Sequence, residues 1–431
     1  MFFAKRALKF GKSKSTDNVP GSPGRASSSP LPPPPSALYA QHPTPSSVST
    51  KIRLSILATA MVDALGGPAE FQERFSFSFI THMLPNDNFR LPAGVWSDDT
   101  SMMLCLAKSI SSFKPSPNST HIGGFNEGDQ LRLYGRWHRS GYLSAIGRCF
   151  DIGNTVARAL TIYARHRNNP TEALELIRSE LSEEANSGNG SLMRVLPIGL
   201  AYWRDGDEAK MYAKRSSQVT HPAQMCGEAC QFLTALITLA MEKTVLPLDS
   251  LEEDPPFSKL SLLEFIIRYP FENHKLLVAL TLPYGLPPRP EDRVEREAYY
   301  YKFHPLLRLV AATQTEPLPK DNKFPYHIPS EESVPSSGYV LHTLIAALYC
   351  FFATRTFEEG ALMAVNLGDD ADTVGAVYAG LAAVWYSGDE EEAEGVFWTK
   401  RVREWRRTLV ATQMIDEVTE DLLGWERKLA D

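Results

Sequence analysis

Two short acidic clusters carry the side chains best suited to chemistry in this sequence. The first is Trp96-Ser97-Asp98-Asp99-Thr100, placed where a loop enters an apolar segment. Ser and Asp are common helix N-caps, and the helix dipole favours a carboxylate there, but capping requires only one of them. Adjacent carboxylates flanked by hydroxyl groups concentrate hard oxygen donors, which suit Mg²⁺ or Mn²⁺. The first cluster therefore predicts either a helix cap or a divalent-metal site.

The second cluster, Leu367-Gly368-Asp369-Asp370-Ala371-Asp372-Thr373, also precedes a long apolar segment. It places three carboxylates within four residues at the start of a segment that we interpret as a buried helix. Like charges this close repel each other and resist desolvation unless a cation neutralises them. Both clusters share the order of acidic pair, hydroxyl group and buried helix. We therefore predict that the two helix entrances face each other around an oxygen-only site for two divalent cations.

A glycine-rich stretch, Ser187-Gly188-Asn189-Gly190-Ser191-Leu192-Met193-Arg194, is a third candidate. The backbone N–H groups of such a loop, opening onto a helix, can bind phosphate oxygens. The stretch lacks the Gly-Lys-Ser/Thr of a P-loop and a preceding strand, so it fits neither nucleotide-binding fingerprint. Asn-Gly is also an ordinary turn dipeptide. His221, between Thr220 and Pro222, is of interest only if its helix entrance faces the same cavity.

Helical periodicity dominates the chain that must position these residues, and strand-like alternation is confined to residues 75–79. Several segments are apolar nearly all round, which is typical of helices at the centre of a large bundle. Predicted helices cover 102–110, 174–181, 226–241, 260–268, 299–313, 339–352, 371–386 and one or two stretches within 390–429. We predict an all-α fold in which residues 51–431 form a single large multi-helix domain.

Composition restricts the partners of the protein. Apolar residues make up 43% of the 431 residues, enough for a large core, and the net charge of −7 argues against a general nucleic-acid binder. Five scattered cysteines lack metal-type spacing and indicate reduced, buried thiols in a reducing compartment. No apolar run reaches the roughly 18 residues of a transmembrane helix. We expect a monomer that binds neither nucleic acid nor membrane.

The first 50 residues form a basic tail rich in Ser, Pro and Gly, including the run of prolines from Pro32 to Pro35. Such a stretch cannot bury enough apolar surface to offset its ordering entropy, so we predict disorder. We expect a cytoplasmic protein, but the acid-free basic start, before Asp17, leaves a mitochondrial presequence open. Residues 246–335 form a proline-rich region with long surface loops.

Six segments between Leu57 and Trp385 form an ordered series. They are ATAMVDALGGPAEF, WSDDTSMMLCLAKSI, CFDIGNTVARAL, SGNGSLMRVLPIGL, THPAQMCGEAC and NLGDDADTVGAVYAGLAAVWYSG. Each is modest alone, but in this order they resemble the ADP-ribosylglycohydrolase family, which includes the bacterial dinitrogenase-reductase-activating glycohydrolase and animal ADP-ribosylhydrolases. The tail and the proline-rich region lie outside the resemblance. The resemblance implies an all-α hydrolase that holds two Mg²⁺ or Mn²⁺ ions in a cleft and releases ADP-ribose from protein side chains or small conjugates.

The resemblance also implies roles for individual residues. The implied metal ligands are Ser97, Asp98, Asp99, Asp370, Asp372 and Thr373. The implied catalytic residues are Glu70, beside the metals and the attacking water, and Asp151, a pocket carboxylate able to meet the guanidinium of an ADP-ribosylated arginine. The implied substrate-binding residues, which would hold phosphates and ribose, are Gly188, Asn189, Gly190, Ser191 and His221.

One departure from the family pattern is Val62, where the family usually has glycine before Asp63. Because a helix tolerates a Cβ, we expect repacking around Val62. A catalytically inactive ADP-ribose-binding or structural relative is the alternative, but such a protein should have lost carboxylates that this chain retains. A phosphohydrolase with two metals would normally use histidine ligands, and neither cluster contains one. Arginine, serine and acetyl-ester linkages all stay open, with Asp151 favouring arginine.

Overall fold

The computed structural model describes residues 37–116, 118–245, 256–315, 327–389 and 395–430. These ranges contain α-helices, isolated bridges and three short 3₁₀ helices (Leu38–Ala40, Gly67–Ala69 and Glu184–Asn186), and they form no strand. The α-helices are α1 Val48–Gly66, α2 Asp98–Ser112, α3 Glu127–Ser140, α4 Asn154–Arg165, α5 Pro170–Glu180, α6 Leu196–Ala201, α7 Gly206–Gln218, α8 Gln224–Glu242, α9 Lys259–Arg268, α10 His274–Leu280, α11 Arg293–Phe303, α12 Pro305–Thr315, α13 Val340–Ala353, α14 Phe357–Val365, α15 Ala371–Tyr386, α16 Lys400–Thr408 and α17 Thr412–Ala430. The all-α prediction is therefore confirmed.

The centre of the fold is formed by helices that are apolar on nearly all sides. α1 makes its most extensive contacts with α15, and α8, α13 and α14 also pack against α15. Every residue of α15 is buried. A helix surrounded in this way has no solvent-facing side for a charged group. The carboxylate of Asp372, in the first turn of α15, consequently lies in the protein interior.

The segment Val48–Ala69, which comprises α1 and its 3₁₀ extension, is the one described helix long and apolar enough to cross a membrane. Within its most apolar window, 89% is buried inside the protein. This burial is the behaviour of a core helix, consistent with the central position of α1.

Ordered structure begins earlier than the boundary predicted at residue 50. Leu38 is fully buried, and the N–H groups of Leu38 and Tyr39 donate to the Glu297 carboxylate at 2.8 and 3.1 Å. α1 begins at Val48, with the hydroxyl of Ser47 accepting a hydrogen bond from the N–H of Thr50. The contacts of Leu38 and Tyr39 with Glu297 join distant parts of the chain, so local composition carried no sign of them. Residues 1–36, and residues 246–255 and 316–326 of the proline-rich region, lie outside the described residues.

The helix predicted over residues 299–313 is instead two helices. α11 ends at Phe303 and α12 begins at Pro305. His304 between them has extended backbone, with φ −77° and ψ 126°. Proline disfavours the helical conformation of the residue before it but is well suited to the first position of a helix. Pro305 thus ends one helix and starts the next, and the apolar periodicity continues across the break.

Candidate active site

Asp63 on α1 fixes the start of α2. Its carboxylate accepts hydrogen bonds from the backbone N–H groups of Ser97 at 2.9 Å and Thr100 at 3.1 Å. The hydroxyl of Ser97, the N-cap residue, accepts from the N–H of Asp99 at 3.3 Å. These acceptors satisfy the N–H groups of Ser97, Asp99 and Thr100, which have no partner within the helix. The buried carboxylates of Asp98 and Asp99 are therefore not needed as caps.

α15 brings the second acidic cluster against the first. The hydroxyl of Thr373 donates to Oδ2 of Asp99 at 3.1 Å, although the two residues are 274 positions apart. Asp372, which is 1% exposed, accepts a hydrogen bond from the N–H of Thr373 at 2.9 Å. Asp370 accepts one from Nδ2 of Asn189 at 2.6 Å. Both acidic helix entrances thus border one buried site.

Glycine makes the close approach of α1 and α15 possible. A Cβ on Gly66 would lie 2.5 Å from Cα of Asp372. A second glycine, Gly375, faces Val62, and a Cβ there would lie 2.8 Å from Cγ1 of Val62. The valine that departs from the family pattern therefore occupies space left by a glycine on the opposing helix.

Replacing Gly66 by alanine is expected to push α15 away from α1. Because the clash is with backbone, relief requires a helix shift, and we expect the free energy of unfolding to fall by about 1–3 kcal/mol. The matched control is Gly424→Ala in α17, where a Cβ meets nothing within 4 Å. That change should stabilise the protein by about 0.5–1 kcal/mol, the usual gain of alanine over glycine in a helix. Denaturant unfolding of both variants checks the prediction, and equal stabilities would contradict it.

Glu70 and Asp151 extend the acidic site. Glu70 follows the 3₁₀ helix Gly67–Ala69, which continues α1, and is 4% exposed. Asp151 lies in the loop before α4 with left-handed backbone, at φ 59°. Carboxylate oxygens of Glu70, Asp151 and Asp372 all lie within 4.8 Å of one another. Left-handed backbone is uncommon for residues other than glycine, although aspartate tolerates it better than most, and such conformations concentrate at functional sites.

Burial and mutual repulsion raise the pKa values of the clustered carboxyl groups. Burial chiefly raises the pKa of Glu70 to about 12 and that of Asp151 to about 7. Burial, followed by the charges of neighbouring carboxylates, holds the pKa values of Asp98, Asp99 and Asp372 well above their usual range. In addition, Oδ1 of Asp99 is buried without a hydrogen-bond partner. Divalent cations would relieve both the repulsion and the missing partner, and the oxygen donors fit Mg²⁺ or Mn²⁺.

Protein freed of divalent cations should lose stability as the pH rises. The pKa values of Asp63 and Asp151 are raised to about 6 and about 7, above their values in the unfolded chain. Their contribution to stability is thus fully present below about pH 4 and is lost as the pH rises through 6 to 7. Melting temperatures of chelator-treated protein between about pH 5 and pH 8 test this. We expect added Mg²⁺ to oppose the decline, and a melting temperature independent of pH would contradict the prediction.

The glycine loop, residues 188–191, packs against His221. A Cβ on Gly190 would lie 2.8 Å from Cε1 of His221, so the contact requires glycine. Burial, with the positive charge of Arg194 adding to it, lowers the pKa of His221 to about 3, so the imidazole is neutral. The amide of Asn189, which binds Asp370, places the loop at the border of the acidic site.

A turn separates the glycine loop from the helix onto which it was expected to open. Residues 190–194 form a turn, and α6 begins only at Leu196. The loop instead pairs with the segment before α13, where the N–H of Asn189 donates to the carbonyl of Gly338 at 3.0 Å. The Asn-Gly turn preference of the sequence therefore prevailed over the helix-entrance interpretation.

Two buried arginines that the sequence did not single out support these loops. Arg194 is fully buried, and its Nη1 donates to the carbonyl of Gly190 at 2.6 Å. Arg74 donates from Nε to the carbonyl of Leu367 at 2.7 Å and from Nη2 to that of Val334 at 2.8 Å, which holds the loop before Asp370. The one sequence signal was for Arg194, a charged residue within the apolar run after the glycine loop. Nothing local marked Arg74.

Comparisons with known proteins identify the family of this chain. The sequence profile described as ADP-ribosylglycohydrolase matches residues 44–427. ADP-ribosylarginine hydrolase Tri1 of Pseudomonas putida is 28% identical over 385 residues, which cover 88% of this chain and 84% of that protein. ADP-ribosyl-[dinitrogen reductase] glycohydrolase of Rhodospirillum rubrum is 23% identical over 340 residues, covering 78% of this chain and 85% of the other.

A solved structure, named ADP-ribosylglycohydrolase-related protein complex, superposes with a TM-score of 0.54 at 29% identity and covers 88% of this chain and 99% of its own. Family profile, relatives and fold agree along nearly the whole described chain. The two named relatives are both hydrolases of glycosidic bonds. The chain belongs to the ADP-ribosylglycohydrolase family of glycosidic-bond hydrolases.

Proposed function

We propose that this protein is a metal-dependent hydrolase that removes ADP-ribose from modified arginine side chains of proteins. The observation that carries the proposal is the acidic site itself, in which Glu70, Asp151 and Asp372 come within 4.8 Å of one another. The arginine linkage is supported by relatives named ADP-ribosylarginine hydrolase in Pseudomonas putida and Serratia proteamaculans. It is supported further by Asp151, since a carboxylate can form a charge-assisted pair with a guanidinium.

The proposed metal ligands all lie at the two facing helix entrances and offer only oxygen atoms. They are Ser97, Asp98, Asp99, Asp370, Asp372 and Thr373. The unpartnered Oδ1 of Asp99 and the repulsion within the cluster support this assignment. When bound, two Mg²⁺ or Mn²⁺ ions would supply positive charge that orients ribose hydroxyl groups and polarises water.

Glu70 is the proposed general base. A buried carboxylate in contact with Asp151 can take a proton from water as the water attacks the anomeric carbon. Without cations its pKa of about 12 keeps it protonated, and positive charge in the site favours its carboxylate form. As the ribose–nitrogen bond breaks, its electrons neutralise the guanidinium nitrogen. The proton taken by Glu70 then restores the guanidinium of free arginine.

The glycine loop and His221 are the proposed phosphate- and ribose-binding elements. The loop borders the acidic site through the contact of Asn189 with Asp370 at 2.6 Å. Glycine at position 190 lets His221 pack closely against the loop, and N–H groups of the loop backbone can donate to phosphate oxygens. A neutral His221 can donate a hydrogen bond to a hydroxyl or phosphate group without the desolvation cost of a buried charge.

The decisive experiment incubates the protein with two peptides, one ADP-ribosylated on arginine and one on serine, each with Mg²⁺ or with chelator. We expect ADP-ribose release from the arginine peptide only, and only with Mg²⁺. Release from the serine peptide alone would show that the protein cuts the serine linkage and not the proposed arginine linkage. Equal release with chelator would exclude the metal requirement, and release from neither peptide would contradict the proposed function.

A further inference from the structure

Three phenylalanine rings form a continuous chain of contacts beside the acidic site. The rings of Phe71 and Phe89 pack edge-to-face with centroids 6.3 Å apart, and those of Phe89 and Phe150 do so at 5.4 Å. Phe71 is 64% exposed, while Phe89 and Phe150 are half-buried. We call these three side chains the aromatic rim.

The chain connects the aromatic rim directly to the proposed catalytic pair. Phe71 follows Glu70, and Phe150 precedes Asp151. Asn88, next to Phe89, donates from Nδ2 to the carbonyl oxygen of Glu70 at 2.8 Å. Phe71 and Phe150 are therefore next to Glu70 and Asp151 in the chain, and Phe89 is next to a residue that donates a hydrogen bond to Glu70.

The backbone conformation of Phe71 and the exposure of its ring to water are both energetically unfavourable. Its backbone is left-handed, at φ 63°, and most of its ring is in water. Two backbone hydrogen bonds hold this conformation: the N–H of Phe71 donates to the carbonyl of Asp369 at 2.7 Å, and the N–H of Asp369 donates to the carbonyl of Gln72 at 2.8 Å. Local strain combined with an exposed apolar ring is a feature of binding sites.

We propose that the aromatic rim binds the arginine side of the substrate, with the guanidinium of the ADP-ribosylated arginine against the ring faces and its carbon chain along their edges. This assignment rests on the proposed function and extends it from the bond that is cut to the group that leaves. A guanidinium is attracted both by aromatic faces and by carboxylates. Glu70 and Asp151 provide the carboxylates, and the rim provides the aromatic faces beside them.

The test measures recognition of the leaving arginine separately from recognition of the ADP-ribose portion of the substrate. Phe71→Leu and Phe89→Ala each remove an aromatic ring, Phe71→Trp keeps one, and Tyr284→Ala is a control at an aromatic residue 95% exposed in the loop between α10 and α11. With an ADP-ribosylarginine peptide, we expect KM to rise about 5-fold to 20-fold in the first two variants. We expect kcat to stay within about 3-fold, because the rings neither transfer a proton nor bind the proposed metal ions.

Binding of free ADP-ribose, measured by calorimetry, should be unchanged in all variants, and Phe71→Trp and Tyr284→Ala should retain the KM of the original chain. An unchanged KM in both ring-removing variants would overturn the proposal. A parallel loss of ADP-ribose affinity would also overturn it, because the rim would then serve the nucleotide or the fold. Inactivity of the unaltered protein on the arginine peptide would instead contradict the proposed function.

Discussion

Replacing Asp99 by asparagine is expected to abolish hydrolysis and, at the same time, to stabilise the metal-free protein. Asp99 is 1% exposed, and Oδ1 has no hydrogen-bond partner while Oδ2 accepts from the hydroxyls of Ser97 and Thr373 at 3.1 Å each. Asparagine has the same shape but carries no charge. If the substitution removes a metal ligand, the rate of hydrolysis should fall at least about 10³-fold, because metal-ion stabilisation of a transition state is worth several kcal/mol.

The gain in stability has a separate cause. The charged Asp99 carboxylate is desolvated and repelled by the charges of Asp63, Asp370 and Asp151, and the amide removes both costs. Functional sites often hold such unfavourable charges, so their removal stabilises the protein while activity is lost. Melting temperatures with and without Mg²⁺ measure the stability, and initial rates measure the hydrolysis. The increase in melting temperature that Mg²⁺ produces should be smaller in Asp99→Asn than in the unaltered protein.

Asp369→Asn is the matched control for Asp99→Asn. It makes the same chemical change in the same acidic region, on a half-buried residue that is not among the proposed ligands. Its left-handed backbone, at φ 56°, also suits asparagine. We expect less than about a 3-fold change in rate, as for substitutions away from the reacting groups. A variant at Asp99 that keeps both its rate and its Mg²⁺-dependent melting temperature would exclude that residue as a ligand.

Glu70→Gln should remove catalysis without removing the binding of ADP-ribose. The amide keeps the size of the side chain but cannot accept the proton of the attacking water. Loss of a general base typically costs about 10²-fold to 10⁴-fold in rate. Because the substitution is nearly isosteric in a site where Glu70 is only 4% exposed, the cleft should keep its shape.

Single-turnover rates and calorimetric titration with ADP-ribose separate the two effects. Glu73→Gln, three residues further along the chain and exposed, is the control and should behave like the unaltered protein. Full activity of Glu70→Gln would remove Glu70 from the mechanism. Loss of ADP-ribose binding in the same variant would instead assign Glu70 to the support of the binding site.

The sequence allowed the helical architecture to be predicted because the signal for it is local. α13 and α15 are apolar on nearly all sides, and α2 and α15 begin where acidic residues precede apolar ones. One error has a local cause and the other does not. Periodicity ran through Pro305, so that one helix was predicted where two form, and Leu38 is buried by distant contacts that composition cannot reveal.

A chemical role for the two acidic clusters could also be predicted from neighbouring residues in the chain. Three carboxylates at the start of a buried helix are too costly to be explained by capping alone. What the sequence left undecided was the cap of α2. Asp63, to which we had assigned no role, accepts the N–H groups of Ser97 and Thr100 and so leaves Asp98 and Asp99 free for another purpose.

By itself, the sequence determined which residue types could do chemistry and which segments are helices, because both follow from neighbours along the chain. Only the tertiary structure decided which of them meet. The contact of Asp99 with Thr373 joins residues 274 positions apart and depends on the close approach of α1 and α15 at Gly66. The proximity of Asp151 to Glu70, and the ring contacts of Phe71, Phe89 and Phe150, likewise depend on loops held by distant partners. Packing between distant segments selects such contacts, and no local pattern specifies them.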